Sequence, residues 1–301
     1  MVKISALVCV YNDVLFIREC LENLLPLVDE IVIVDGSWMG EYSTYDYGKN
    51  ESSTDGTYEI CLEFKARNPK KIKEFSSIGD EHLSRNLGVA ECSHEWILQR
   101  DADEAFHELE FLDFKEKVLP NIQDDIDIIE FPEYQFYFNF KNYMLATRCR
   151  MFRRIYYTVG NFVGDGLVPN KGNKILKVNS PWLYHYQWVG NRDKVLKSKN
   201  HDAQVASCAR LQIDPEIALK NVGYNWWLKH IYLKFDGTNL KELEEKNGGS
   251  IHFWSKAHKD VNPPMYQVDT ESFSFPLATL RAPWFDREEI GIINFNAGEK
   301  S

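Results

Sequence analysis

Residues 4–10, Ile-Ser-Ala-Leu-Val-Cys-Val, form an almost unbroken apolar run that stops at Tyr11-Asn12-Asp13. Such a strand has no polar face to turn to water, so it must be covered on both sides, as strands of parallel sheets are. The same pattern returns at Glu30-Ile-Val-Ile-Val-Asp35 and at Trp96-Ile97-Leu98, with a shorter strand expected at Ile72–Phe75. Between these runs the apolar residues fall at helical spacing. The first such stretch carries Phe16, Ile17, Cys20, Leu21, Leu24 and Val28 inward, with Arg18, Glu19 and Glu22 expected outward and Asn12 or Asp13 as its cap. A second carries Ile60, Cys61 and Phe64, and a third Leu83, Leu87 and Ala90. The order β-α-β-α-β-α-β with short connections predicts right-handed parallel crossovers in an α/β sheet. Residues 36–52 read as a polar, Tyr-rich insertion. Ile126–Phe131, the alternating aromatics Tyr134, Phe136, Phe138 and Phe140, and Met151-Phe152 predict further strands.

The fourth of the early strands runs directly into Asp101-Ala-Asp103-Glu104. A strand ending this way delivers two carboxylates to the carboxyl edge of the sheet, where open α/β folds bind their ligands. Hard oxygen ligands suit Mg²⁺ or Mn²⁺, which take few protein carboxylates and complete their shell with phosphate and water. An Asp-x-Asp pair is equally compatible with a solvated loop, and the preceding order of elements is what favours a diphosphate and metal site.

The chain has 301 residues, 44% of them hydrophobic and 14% aromatic, enough for a full core. A formal net charge of -10 and the lack of a Lys/Arg run argue against a nucleic-acid partner. Six cysteines (Cys9, Cys20, Cys61, Cys92, Cys149, Cys208) without C-x-x-C spacing read as reduced thiols. No apolar run spans a bilayer and the first residues lack the layout of a signal peptide, so a cytoplasmic protein without a transmembrane segment is expected.

The five segments Ala6-Leu-Val-Cys-Val-Tyr-Asn12, Ile31-Val-Ile-Val-Asp35, Ser53-Thr-Asp-Gly-Thr57, Ser84-Arg-Asn-Leu-Gly88 and Asp101-Ala-Asp-Glu104 resemble, in this order, the GT-A-fold glycosyltransferases of family 2. These are inverting enzymes that use nucleotide-sugar donors. The resemblance implies a mostly parallel, Rossmann-type sheet flanked by helices over residues 1–190. Residues 191–301 fall outside the resemblance and read from their own pattern as a helical and loop-rich extension packed on the same domain and contributing to the acceptor side, with helices expected at 193–211 and from Asp214-Pro215 to Phe235. By the same resemblance Tyr11 and Asp35 hold the base and ribose, Arg85 faces the base or diphosphate, Asp101 contacts the ribose, and Asp103 ligates Mn²⁺ or Mg²⁺. The donor implied is a nucleoside-diphosphate sugar, most simply a UDP-sugar, and the acceptor a glycan, lipid-linked or protein hydroxyl. The chain departs from the family pattern after Asp35, where Gly36-Ser37 and the insertion precede the Ser-Thr-Asp-Gly-Thr turn. Arg100 stands where an apolar residue is common, which would bring a cation beside the phosphates.

Inverting transfer needs a base for the acceptor hydroxyl. In relatives of this kind an Arg/Phe-rich strand precedes an acid-bearing turn. Here Arg150-Met-Phe-Arg153 precedes Gly164-Asp165-Gly166, which makes Asp165 the matching acid, with Glu104 and Glu133 as rivals. His185, in Pro181-Trp-Leu-Tyr-His-Tyr-Gln-Trp188, occupies the place where many relatives put a metal-ligating histidine. The flanking Trp182, Tyr184, Tyr186 and Trp188 read equally as lining for a sugar subsite. Two other readings stay open: a nucleotidyltransferase, for which a Gly-rich basic loop after the first strand is missing, and a catalytically degenerate nucleotide-sugar or glycan-binding module.

Overall fold

The computed structural model describes residues 2–36, 52–76, 81–138, 140, 142–154, 162–163, 166–167, 174–189, 265–267 and 275–281. Four parallel strands, β1 (Ile4–Val10), β2 (Glu30–Asp35), β3 (Ile72–Ser76) and β4 (Trp96–Arg100), lie in the order β3-β2-β1-β4. Their connections carry α1 (Ile17–Leu27), α2 (Thr57–Arg67) and α3 (Glu81–Glu91). This is the α/β fold that the apolar runs predict, and β1 and β2 are buried at every position.

The chain then turns through Asp101–Asp103 into β5 (Glu104–Phe106) and α4 (Glu108–Asp113), followed by a π turn at Phe114–Val118 and a 3₁₀ turn at Leu119–Asn121. Two long strands follow, β6 (Ile128–Phe138) and β7 (Asn142–Arg153). The short β8 (Phe162–Val163) and β9 (Gly166–Leu167) pair with each other. Next come β10 (Ile175–Lys177) and β11 (Leu183–Val189), then β12 (Met265–Gln267) and α5 (Leu277–Arg281). The main sheet continues from β4 as β7-β6-β11-β5, with β10 on β6 and β12 on β7. In this half, β4–β7, β6–β7 and β5–β11 are antiparallel, while β6–β11 is parallel.

Two clusters bury the faces of the parallel half: Ile4, Ala6, Val8, Ile31, Ile33, Trp96 and Leu98 under α1, and Leu7, Val32, Val34, Val89 and Cys92 under α3. A third, aromatic cluster gathers Phe136, Phe140, Tyr184, Tyr186 and Phe275. α3 sits very close to the sheet: a Cβ on Gly88 would overlap Leu7 Cδ1 and lie 3.2 Å from Val34 Cγ2.

Two local expectations are corrected. The N-cap of α1 is Phe16, with no side-chain cap, because Asn12 takes a positive φ of 51° and its Oδ1 accepts from Thr54 N (2.8 Å) instead. Glu19 is buried rather than outward, because α1 packs against α2, α4 and α5 as well as the sheet, which narrows its polar face. Cys9, Cys20, Cys61, Cys92 and Cys149 are free thiols, and Cys208 lies outside the described residues. No helix among the described residues is long and apolar enough to cross a membrane. The expected helices at 193–211 and 214–235, most of the 36–52 insertion, and all of the 191–301 appendage except 265–267 and 275–281 lie outside the described residues.

Candidate active site

The carboxyl ends of β1 and β2 are tied to the Ser53-Thr-Asp-Gly-Thr57 turn by side chains that each bridge two loops. Asp35, fully buried at the end of β2, accepts from Ser53 N (3.0 Å) and Ser53 Oγ (2.5 Å). Burial pushes its carboxyl above the ordinary range against these hydrogen bonds. Ser53 Oγ also accepts from Asn12 N (2.9 Å), and Thr57 Oγ1 from Asp13 N (2.8 Å). Asp55 both forms the turn and ties it to the loop after β1: Oδ1 accepts from Thr57 N (3.1 Å) and Oδ2 from Val14 N (3.0 Å). Gly56 closes the turn at φ 104°, a backbone that disfavours a side chain. Tyr11 follows β1 at the same edge and is half-buried.

Beside this edge, β4 brings Gln99, Arg100 and Asp101 into a dense charged cluster. Arg150, fully buried on β7, donates to the carboxylates of both Asp101 and Glu104 through Nη2, and its Nε lies 3.1 Å from Glu104 Oε1. Arg85 on α3 approaches Asp101 Oδ1 at 3.8 Å. Gln99, in the amide orientation that satisfies it, accepts from Arg85 Nη1 (2.7 Å) and Arg150 Nη1 (3.0 Å). Burial alone would raise the Asp101 carboxyl, but Arg150 and Arg85 outweigh it and hold Asp101 ionised below its ordinary range. Glu104 is raised, because it is buried more completely than Arg150 compensates. Of these groups Asp101 keeps an open edge, its side chain 19% exposed against 0% for Glu104 and Arg150.

Arg100 does not reach toward a phosphate position. It is fully buried, its guanidinium lies 5.0 Å over the Phe106 ring, and Nη2 donates to the Glu104 carbonyl. The expected phosphate cation is therefore replaced by a group that braces the turn after Asp103.

β11 completes the constellation. It lies between β5 and β6, so that His185 is registered against Glu104 on one side and Gln135 on the other. His185 Nε2 is 3.5 Å from Asp103 Oδ1, and Nδ1 is 2.7 Å from Glu133 Oε1. Desolvation would depress the imidazole, but Asp103 and Glu133 together raise it to about 9. Glu133 would be raised by burial; His185 and Arg148, whose Nε is 3.0 and 3.1 Å from its two oxygens, hold it at about 2.

Two octahedral ligands about 2.1 Å from Mg²⁺ stand about 3.0 Å apart when adjacent, so the 3.5 Å between Asp103 Oδ1 and His185 Nε2 accepts a small dication with slight adjustment. A second grouping, Glu104, Glu133 and His185, has ligand atoms within 4.8 Å of one another. There the carboxylates already face Arg150 and Arg148. A like charge some 4 Å away costs about 4 kcal/mol per charge pair at an effective dielectric of 20, so a dication is far better accommodated on the Nε2 side.

Asp101, Asp103 and His185 thus lie close together with Arg85 of α3 beside Asp101, and Asp35 ends the strand two positions away in the sheet order. Asp165 lies outside the described residues, as does the side chain of Trp188. The expected sugar lining is corrected for Tyr184 and Tyr186, which are 3% and 2% exposed within the aromatic core, packed on Phe136 and Phe275. Trp182 instead stacks on Tyr134 (4.2 Å, 15°) at half-buried positions. Arg148, Arg150 and Gln99 are the residues that sequence reasoning misses. The one signal was two arginines, Arg148 and Arg150, at alternate positions of a predicted strand segment, although the pairing of β6 and β7 is irregular at Arg150.

No family model matches the chain, and no curated protein matches it. Among solved structures it is similar to S. aureus TarS (17% identity, 67% of this chain and 42% of that one, TM-score 0.43). It is also similar to the mannosyltransferase PcManGT from Pyrobaculum calidifontis in complex with GDP-Man and Mn²⁺ (13% identity, 69% and 64%, TM-score 0.45). A third is the glucosyl-3-phosphoglycerate synthase from Mycobacterium tuberculosis in complex with Mn²⁺, UDP and glucosyl-3-phosphoglycerate (13% identity, 70% and 80%, TM-score 0.39). The chain spans less than two thirds of the length of the first two.

Proposed function

We propose that the chain is a metal-dependent glycosyltransferase that moves a sugar from a nucleoside-diphosphate sugar to an acceptor hydroxyl with inversion, as a family-2-like, hexosyl-transferring enzyme. The observation that carries this reading is the pairing of Asp103 with His185 across 3.5 Å, where the carboxyl end of β4 meets the mixed half of the sheet, directly beside the partly open Asp101. One acidic ligand and one imidazole, beside an Asp101 held by Arg150 and Arg85, would suit a diphosphate carried with its cation.

Asp103 and His185 would hold Mn²⁺ or Mg²⁺, which when bound neutralises charge on the departing diphosphate. Asp101, kept ionised by Arg150 and Arg85, faces the donor ribose. Tyr11 and the turn held by Asp35 bound the nucleoside end. Glu104 and Glu133 are buried and have both oxygens engaged by arginines, a histidine or backbone, which supports Asp165 as the general base by removing its rivals. The loop after β1 is bound to the Ser53–Thr57 turn and has no glycines, which speaks against a nucleotidyltransferase.

The test is a thermal-shift and calorimetric screen of UDP, GDP and their sugars with and without Mn²⁺, since a ligand of the folded state raises its stability by mass action. UDP binding that requires Mn²⁺ and is lost in Asp103→Ala supports the reading. Unchanged UDP affinity in excess EDTA overturns the metal's part. Binding without transfer or hydrolysis points to a binding module instead.

A further inference from the structure

Glu133 is fully buried on β6, 52 residues before His185, yet its Oε1 meets His185 Nδ1 at 2.7 Å while Nε2 on the far side of the ring points at Asp103. An ionised carboxylate only accepts, so Nδ1 must carry the hydrogen and Nε2 is the nitrogen left with a lone pair once the imidazole is neutral. Arg148 grips both Glu133 oxygens (Nε 3.0 and 3.1 Å), which fixes the fully buried carboxylate in rotation and favours its ionised form. β6 and β11 are parallel neighbours with a bulge between His185 and Trp188, so backbone pairing sets the approach of the two side chains before any ligand arrives. A carboxylate on the second nitrogen of a ligating histidine fixes tautomer and ring angle.

We propose that Glu133, braced by Arg148, is a positioning residue that presents His185 Nε2 to the cation shared with Asp103, and takes no part as a base. This inference rests on the metal-dependent reading above.

The experiment is a titration of the full chain with Mn²⁺, following free Mn²⁺ by electron paramagnetic resonance, in four forms: wild type, Glu133→Gln, His185→Ala and the double variant. Loss of such an outer partner typically weakens metal affinity by about 10- to 100-fold. Glu133→Gln should show a loss of that size, and should add nothing in the His185→Ala background. A merely structural role would weaken both backgrounds alike, and that outcome, or undiminished affinity in Glu133→Gln, overturns the proposal. If the wild type binds no Mn²⁺, both this inference and the metal-dependent reading fall. As a second measurement that needs no variant, ring-nitrogen NMR of wild-type protein saturated with Mg²⁺ and UDP should show the hydrogen on Nδ1 of His185. A hydrogen on Nε2 would overturn the assignment.

Discussion

His185 sits between two carboxylates, and its protonation and metal binding compete for the same nitrogen. Its folded value is raised to about 9, so metal-free protein holds the imidazolium across the physiological range. Mn²⁺ must displace that proton, and its affinity should therefore climb by about tenfold per pH unit and level off above pH 9, which calorimetry at several pH values checks. For stability without metal the sign is opposite. A raised value contributes stability that is complete below the unfolded value near 6.5 and is lost as pH rises through about 9, at most about 3 kcal/mol. Asp103→Asn should lower the imidazole's value, read by NMR titration, as well as remove the cation. Arg150 gives a different kind of prediction. It is the shared partner of Asp101 and Glu104, and breaking a buried pair from one side costs about 3–5 kcal/mol. Arg150→Met should lose stability of that order in denaturant unfolding. Asp101 and Asp103 can be singled out in sequence because they end a recognisable apolar run, whereas His185 stands out only through the resemblance. Arg150 served there only as a marker of the strand before Asp165, and its ion-pair role went unread because its partners are 46 and 49 residues away.

Among the elements, the parallel strands were the most legible, since burial on both faces leaves no polar alternation to confuse. The packing of α3 explains a glycine in the Ser84–Gly88 motif. A methyl at Gly88 would drive into Leu7 and crowd Val34, both fully buried. Overpacking costs about 1–3 kcal/mol, whereas alanine returns at most about 1 kcal/mol of helix propensity, so the clash wins. Gly88→Ala should lower the denaturation midpoint with an unchanged slope. β11 was less legible than β1. Its pairing with β5 and β6 brings together segments about 50 to 80 residues apart, and no local pattern records that register. The cap of α1 was misread for a related reason: Asn12 has the right chemistry for a helix cap, but a long-range turn claims its oxygen.

At the scale of the molecule, the described part of the far C-terminal region is held on the body of the sheet at two separate places. β12 pairs with β7 through Met265–Met144 and Gln267–Asn142. α5 docks by its backbone, with Leu277 N and Ala278 N donating to Glu108 (2.8 and 3.1 Å), while Asn23 Nδ2 donates to the same carboxylate (2.9 Å). Phe275 enters the aromatic core, and Thr279 Oγ1 lies 2.9 Å from the hydroxyl of Tyr186, the residue next to His185. Glu108 was unremarkable in the sequence, because its partners lie 169 and 170 positions on. Glu108→Ala should free these amides and speed hydrogen exchange at Leu277 and Ala278, with no change at β1. Two anchors so far along the chain predict that the far segment stays on the sheet without covalent continuity to it. A single cut by a sequence-specific protease introduced between residues 190 and 264 should leave two pieces that travel together through a sizing column and part only in denaturant. The protein is in that respect a natural candidate for fragment complementation, with the smaller piece supplied in trans to restore the wall behind His185.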